Sequence, residues 1–294
     1  MANRAGFIAV IGRPNAGKST LLNYLVGERV AMVSKKAQAT RKRMQIIVMH
    51  EESQLIFVDT PGIHEKEKLI NQFMMQEALK AMGDSDIMLF TAPASDSTAE
   101  YEKFLKLNES KKRKHLIVLT KIDQISQAKL LQTLQNYQKF QEHFEAIIPF
   151  SVNKNVGRDD LLRTIARYLP EHPWLYDPEL LTTEHIRSIY KEFIRESIFE
   201  NMSDEIPYES DVLIEKIDEQ ETIDRIMATI VVEKEVQKKM IIGKHGEAIK
   251  RIGIYARKNI EKFAAKKIHI ELFVSVKSGW SKNKDELEHF GYII

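Results

Sequence analysis

The chain has 294 residues, 43% of them hydrophobic, with a formal net charge of +2 and no cysteine. The length exceeds the commonest single-domain size and makes two domains the expectation, and the hydrophobic share is enough for packed cores. Disulfide and cysteine–zinc frameworks are excluded, which fits a reducing cytosol; no apolar run approaches a membrane span, and the first residues enter a strand pattern at once, so no signal peptide is expected.

Residues 7–11 form a short apolar run that ends at Gly12, the pattern of a buried strand. Residues 44–50 and 54–58 read as two more strands joined by the hairpin Glu51-Glu52-Ser53. Runs at 87–91, 116–120 and 146–150 are again apolar and bounded by polar residues. Helical patterns alternate with them at 19–26, 69–81, 99–107, 129–143 and 159–168. Strands alternating with helices predict an α/β domain with a mainly parallel sheet covered on both faces.

The alternation stops at Pro170, Pro173 and Pro178, three of the chain's eight prolines. Proline neither continues a helix nor donates to a ladder, so residues 170–182 read as a linker. Beyond it come a helix over 183–202, strands near 211–217 and 226–232, a helix–turn–helix around 241–263 and a strand at 268–276. The order α-β-β-α-α-β predicts a separate small α+β domain. The domain expectation is therefore 1–169, a linker at 170–182, and 183–294. The bland net charge hides a local excess: residues 234–269 hold eleven Lys/Arg against three Asp/Glu, and 35–43 hold five Lys/Arg and no acid. Such clusters suit an anionic partner.

Gly12-Arg13-Pro14-Asn15-Ala16-Gly17-Lys18-Ser19 fits G-x-x-x-x-G-K-[ST] between a strand and a helix. Glycine lets backbone N–H groups surround a phosphate chain, and the helix N-terminus adds its positive dipole end. Candidate phosphate contacts are Gly12, Asn15, Ala16, Gly17, Lys18, Ser19 and Thr20, with Lys18 reaching the β- and γ-phosphates and Ser19 holding Mg²⁺. Asp59-Thr60-Pro61-Gly62 follows a strand, so Asp59 is placed for Mg²⁺ and the Gly62 N–H for the γ-phosphate. Thr120-Lys121-Ile122-Asp123 ends another strand; an acid at Asp123 accepts from guanine's N1–H and N2 amino group, a donor pair that adenine lacks. Ser151-Val152-Asn153 follows the last strand, where its backbone N–H groups would meet the base oxygen. In this order, each at a strand's C-terminal end, the segments select GTP/GDP.

On these motifs residues 1–168 resemble the translation-factor class of small GTPase domains. The resemblance places Thr40 as the switch threonine for Mg²⁺ and γ-phosphate, and makes Lys18, Thr40 and Gly62 the candidate catalytic groups with Ser19, Thr40 and Asp59 as metal ligands. The chain departs from the family at Ala39, Thr120 and Val152, and carries Ile63 where many GTPases keep a water-orienting Gln, which implies slow intrinsic hydrolysis. Asn15 matches the Asn that potassium-activated relatives use, so K⁺ is a candidate activator.

Ile241-Ile242-Gly243-Lys244-His245-Gly246, followed by 247–253, resembles the signature of a type II KH domain. A G-x-x-G loop between two helices clamps about four nucleotides. The candidate RNA contacts are Ile242, Gly243, Lys244, His245, Gly246, Lys250 and Arg251, with Ile241, Ile242 and Ile249 as the apolar floor; Ile252 and Ile260 read as core, and His115, His269 and Met74-Met75 as packing or surface. With Lys277-Ser278-Gly279-Trp280, both halves together resemble the bacterial Era GTPases over essentially the whole chain. The resemblance implies a monomer that binds the 3′ end of small-subunit ribosomal RNA, assists small ribosomal subunit maturation, and sits in the cytoplasm with a loose peripheral hold on the inner membrane face. Three other readings compete: a regulatory GTPase whose second domain binds protein or membrane, a P-loop kinase or ATPase, and a passive RNA-binding protein. The G-x-x-G loop, Asp123, and the intact Lys18, Ser19, Asp59 and Gly62 weigh against them in turn.

Overall fold

A computed structural model describes residues 3–34, 36, 40–62, 69–109, 112–203 and 205–292. It divides into two compact units.

In the first unit, β1 (Arg4–Ile11), β2 (Met44–His50), β3 (Ser53–Asp59), β4 (Ile87–Pro93), β5 (His115–Thr120) and β6 (Ala146–Pro149) form one sheet of order β2-β3-β1-β4-β5-β6. All pairings are parallel except the β2–β3 hairpin, so the sheet is mixed with a parallel core. β3, β4 and β5 are buried along their whole length, which is why they read as unbroken apolar runs rather than alternating ones. Between the strands lie α1 (Lys18–Val26), α2 (Leu69–Asp84), α3 (Ala99–Asn108), α4 (Gln127–Gln138) and α5 (Arg158–Tyr168). One core packs Phe90, Tyr101, Phe104, Tyr137 and Met82 against Ile117 and Leu119. α4 stops at Gln138, short of the expected 143, and residues 139–143 continue as turns.

Residues 170–182, expected as a linker, belong to this unit, which runs to Thr183. β2 is an edge strand with unpaired backbone groups, and the segment covers it. Ile47 N donates to Leu181 O (2.9 Å) and Ile46 bridges Thr182. The Gln54 side chain, buried in β3, accepts from Leu175 N (2.8 Å) and Tyr176 N (3.0 Å) and donates to Tyr176 O (2.8 Å).

Among the described residues the second unit comprises 32–34, 36, 69–73, 184–203 and 205–292. Its main elements are α6 (Ile186–Asn201), β7 (Ser210–Glu219), β8 (Ile223–Val232), α7 (Glu235–Ile242), α8 (Glu247–Ala264), β9 (Lys267–Val276) and α9 (Lys284–His289). β7 pairs antiparallel with β8, and β8 parallel with β9 across the α7–α8 crossover. Phe193, Ile194 and Ile198 of α6 meet Ile252, Ala256 and Ile260 of α8 over the inner face of the sheet. α9 escapes the periodicity reading because it spans six residues, although Asn283 caps it by accepting from Glu286 N (3.2 Å), an N-x-x-E signal present in the sequence.

Candidate guanine-nucleotide site and RNA groove

The phosphate loop runs from the end of β1 into α1, Asp59 closes β3, Thr120 closes β5, and Ser151 lies just past β6. All four are C-terminal ends of neighbouring or near-neighbouring strands, so one edge of the sheet gathers residues up to about 140 positions apart.

At the phosphate end, Lys18 is buried, and its Nζ donates to Gly12 O (3.0 Å) and Arg13 O (3.2 Å). Burial lowers its pKa to about 8, opposed by the nearby Asp59 charge. Burial pushes Asp59 above the ordinary carboxyl range, with Lys18 and the Ser19 hydrogen bond pulling the other way. Ser19 Oγ donates to Asp59 Oδ2 (2.8 Å) and lies 3.3 Å from Thr40 Oγ1, which donates to the same Oδ2 (3.4 Å). Asp59 Oδ1 is buried without a hydrogen-bond partner. The Ser19 and Thr40 hydroxyls therefore converge on one oxygen of Asp59 while its other oxygen is left unsatisfied, a set of hard oxygen donors that fits Mg²⁺. One carboxylate and two hydroxyls would hold such a metal only together with oxygens from phosphate and water.

Gly62 packs against the phosphate loop. A Cβ there would meet Pro14 N at 2.7 Å and the Pro14 ring at 2.8 Å, so only glycine allows this approach. Ile63 lies outside the described residues, as do Lys35 and residues 37–39. Arg13 makes a two-pronged ion pair with Asp96, Nε to Oδ2 at 2.6 Å and Nη2 to Oδ1 at 2.9 Å, bracing the loop from 83 positions away. No local pattern announces that pair.

At the base end, Thr120 Oγ1 donates to Ala16 O (2.6 Å) and Lys121 Nζ to Asn15 O (2.9 Å), tying the strand end to the phosphate loop. Asp123 Oδ1 accepts from the buried Ser151 Oγ (2.7 Å) and Oδ2 from Asn153 Nδ2 (2.9 Å). The Ser151 bond, then the Asn153 bond, hold this carboxyl below the usual range. A carboxylate has about four lone-pair sites, and two remain to accept a paired N–H donor. Ser151 Oγ also accepts from Lys154 N (3.1 Å), shaping the turn that carries Val152 and Asn153. Thr20 is exposed on the first turn of α1.

In the second unit the G-x-x-G loop joins α7 to α8. Gly243 adopts φ 73°, and a Cβ on it would meet Ala248 Cβ at 2.7 Å, so the loop folds tightly onto the start of α8. Lys244 and His245 are exposed beside the α8 N-terminus, whose unpaired N–H groups favour phosphate. A groove of about 350 Å³ lies between α8 and β9, its lining beginning at Ile249 on the first turn of α8. Ile249, Lys250, Gly253 and Ile254 form one wall with Arg257; His269, Ile270 and Leu272 form the other. Arg257 was not singled out from the sequence, although the mid-helix Gly253 was an available signal; His269, read there as packing or surface, is exposed and lines the same groove. Ile241, expected on the groove floor, is fully buried in the core because α7 packs on α8 and the sheet. Ile242 and Gly246 are partly buried, and Arg251 is exposed on α8 but does not line the groove. Ile252 and Ile260 lie in the core.

A family model described as a 50S ribosome-binding GTPase matches residues 7–121, and a KH-domain model matches residues 194–281. The chain is 49% identical over 290 residues to a GTPase Era of Campylobacter concisus, covering 98% of this chain and 100% of that one. It is 48% identical to a Helicobacter pylori GTPase Era over 298 residues, covering 100% and 98%. Among solved structures, an Aquifex aeolicus Era variant bound to GDP and aluminium fluoride matches with a TM-score of 0.94 at 31% identity, covering 99% of this chain and 100% of that one. An Era complex with MgGDPNP and nucleotides 1506–1542 of 16S ribosomal RNA matches equally, with the same score, identity and coverage. Motif order, the two folds and full-length identity near one half converge, and the chain belongs to the Era family of GTPases.

Proposed function

We propose that this GTPase binds the 3′ region of small-subunit ribosomal RNA in its KH groove and, by binding and hydrolysing GTP, assists small-subunit maturation. The observation that carries this reading is the union in one chain of a carboxylate edge for guanine at Asp123 and a basic, glycine-hinged groove. The full-length match solved with 16S RNA and a GTP analogue supports it.

In the hydrolysis step, Lys18 and the loop N–H groups from Asn15 to Thr20 cradle the β- and γ-phosphates, and Thr120, Lys121, Asp123 and residues 151–153 hold the base. Ser19, Thr40 and Asp59 would hold Mg²⁺, which neutralises phosphate charge when bound. Gly62 N–H meets the γ-phosphate. Asn15, with φ 62°, is the candidate K⁺ ligand, and equal turnover in KCl and NaCl at matched ionic strength would remove it from that role.

The groove reading is tested by replacing Lys244 and His245 with Asp. Negative charge against phosphate is expected to abolish binding of a 3′-terminal rRNA fragment and leave GTP affinity within about twofold. RNA binding that survives at physiological salt would place the RNA elsewhere.

Nucleotide state is proposed to govern that groove. The candidate moving parts are residues 35–43 and 60–68, which contain the γ-phosphate contacts Thr40 and Gly62; GTP would order both and hydrolysis would release them. A factor by which GTP tightens RNA binding must equal the factor by which RNA tightens GTP binding. Identical affinities in all four states would show two independent modules. The reading also places a monomer in the cytoplasm with a peripheral hold on the inner membrane face. Among the described residues no helix is long and apolar enough to cross a membrane. Sedimentation and vesicle flotation test those two points.

A further inference from the structure

Residues 170–183 combine a fixed backbone with unburied apolar side chains. The backbone is fastened at both ends. Ala5 N donates to Pro170 O and His172 N to Asn3 O at one end; Ile47 N donates to Leu181 O at the other, and Gln54 holds Leu175 and Tyr176 between them. Trp174 Nε1 donates to Glu52 O (3.3 Å) and Tyr176 OH to Gln45 Oε1 (3.2 Å). Yet Trp174, Leu175, Leu180 and Leu181 stay 37–45% exposed. They are four of the twelve large hydrophobics exposed among the described residues, and they fall within eight consecutive positions.

A lone exposed apolar side chain needs no explanation. A row of them on an already ordered strap does, because a partner that covers it gains apolar burial without an ordering cost for the strap. Trp174 is the type of side chain that anchors such contacts.

Charge selects the partner. From Tyr168 to Ile186 the sequence has no Lys or Arg and carries Glu171, Asp177, Glu179 and Glu184. Glu171 faces Arg4 at 3.4 Å, whereas Asp177 and Glu179 sit in the turn between the two apolar pairs, where Asp177 Oδ1 accepts from Glu179 N. This stretch repels the phosphates of RNA and the headgroups of anionic lipid, the opposite of the basic residues 234–269.

We propose that residues 171–183 form a docking surface for a cationic polypeptide segment, one that sets Lys or Arg beside large apolar side chains. The proposal rests on the function above only in expecting that segment on the small ribosomal subunit.

Two measurements on the full chain test it. First, a synthetic peptide alternating Leu and Lys is titrated against the protein while Trp emission is followed. Trp280 is fully buried and gives a constant background, so a blue shift reports Trp174. The shift is expected with the cationic peptide, absent with a Leu/Glu peptide, and lost in Asp177→Lys/Glu179→Lys. No shift, or an equal one with both peptides, overturns the proposal. Second, a benzophenone side chain at Leu180 is photolysed with purified small subunits. Crosslinks to a Lys/Arg-rich polypeptide are expected, and Leu175→Ser/Leu180→Ser is expected to weaken subunit binding at least about tenfold while leaving affinity for the protein-free rRNA fragment and GTP unchanged. Crosslinks to rRNA alone, an equal loss of fragment binding, or a loss of binding to phosphatidylglycerol vesicles in place of subunits would overturn it. If the unmodified protein bound no subunits, the functional reading would fail, and the peptide titration would still decide the strap.

Discussion

Replacing Asp123 with Asn removes a charge while keeping the shape of the side chain. In the wild type the carboxylate has two acceptor sites free after Ser151 and Asn153 are served, and guanine presents N1–H and N2–H to them. Hydrogen bonds to a charged partner contribute about 1.5–3 kcal/mol each, so the pair is worth roughly 3–6 kcal/mol. The amide keeps one neutral acceptor, worth about 1 kcal/mol. The net loss of about 2–5 kcal/mol converts to a GTP affinity weaker by roughly 30- to 4,000-fold. The amide N–H₂ then faces a position where xanthine carries an acceptor, so xanthosine triphosphate is expected to bind the variant better than GTP. The fold survives, because the Ser151 hydroxyl still donates to the amide oxygen and the Asn153 amide can turn to accept. Titration calorimetry of wild type and variant with GTP, xanthosine triphosphate and ATP measures all of this. A GTP affinity within about threefold of wild type, or no preference for xanthosine triphosphate, would refute the assignment of the guanine edge.

Gly62→Ala puts a methyl group within 2.7 Å of Pro14 N and about as close to its ring, neither of which can rotate away. Overpacking of that kind costs about 1–3 kcal/mol, so affinity for a non-hydrolysable GTP analogue is expected to fall roughly 5- to 150-fold with GDP affinity nearly unchanged; equal effects on both nucleotides would count against a γ-phosphate role. His115 is buried beneath Tyr101, whose hydroxyl lies 2.8 Å from Nε2, and burial holds its pKa down at about 4 against an ordinary 6.5. The unfolded chain therefore binds a proton that the folded chain refuses between those values, so stability falls as pH drops through that window, by up to about 3 kcal/mol. Thermal melts of wild type and His115→Gln from pH 7.5 to 4.5 check it, with a shallower slope expected in the variant and an unchanged slope contradicting the burial argument. In the groove, Arg257→Ala and His269→Ala should each weaken the rRNA fragment by about 1–3 kcal/mol without touching GTP binding; wild-type RNA affinity in both would mean that the α8–β9 walls do not hold nucleotides.

The nucleotide motifs and the α/β order were legible in the sequence because their chemistry is local. A phosphate loop is eight consecutive residues whose backbone does the binding, and buried parallel strands must be apolar throughout, as in β3 to β5. The G-x-x-G turn is similarly local, since Gly243 needs a positive φ and a close neighbour five residues on. Only the tertiary structure decided what long-range packing controls. It brings the Ser19 and Thr40 hydroxyls onto the Asp59 carboxylate, joins Arg13 to Asp96, sinks Ile241 into the core, and sets His269 of β9 and Arg257 of α8 along one groove. It also turns a proline-rich stretch that reads as a linker into a strap on the β2 edge, because unpaired edge groups take whatever backbone lies near them, and proline frequency does not record that. Sequence period reports which way a residue faces within its own element; which residues of other elements it meets is settled by sheet order and register, where a single-residue slip would exchange every partner.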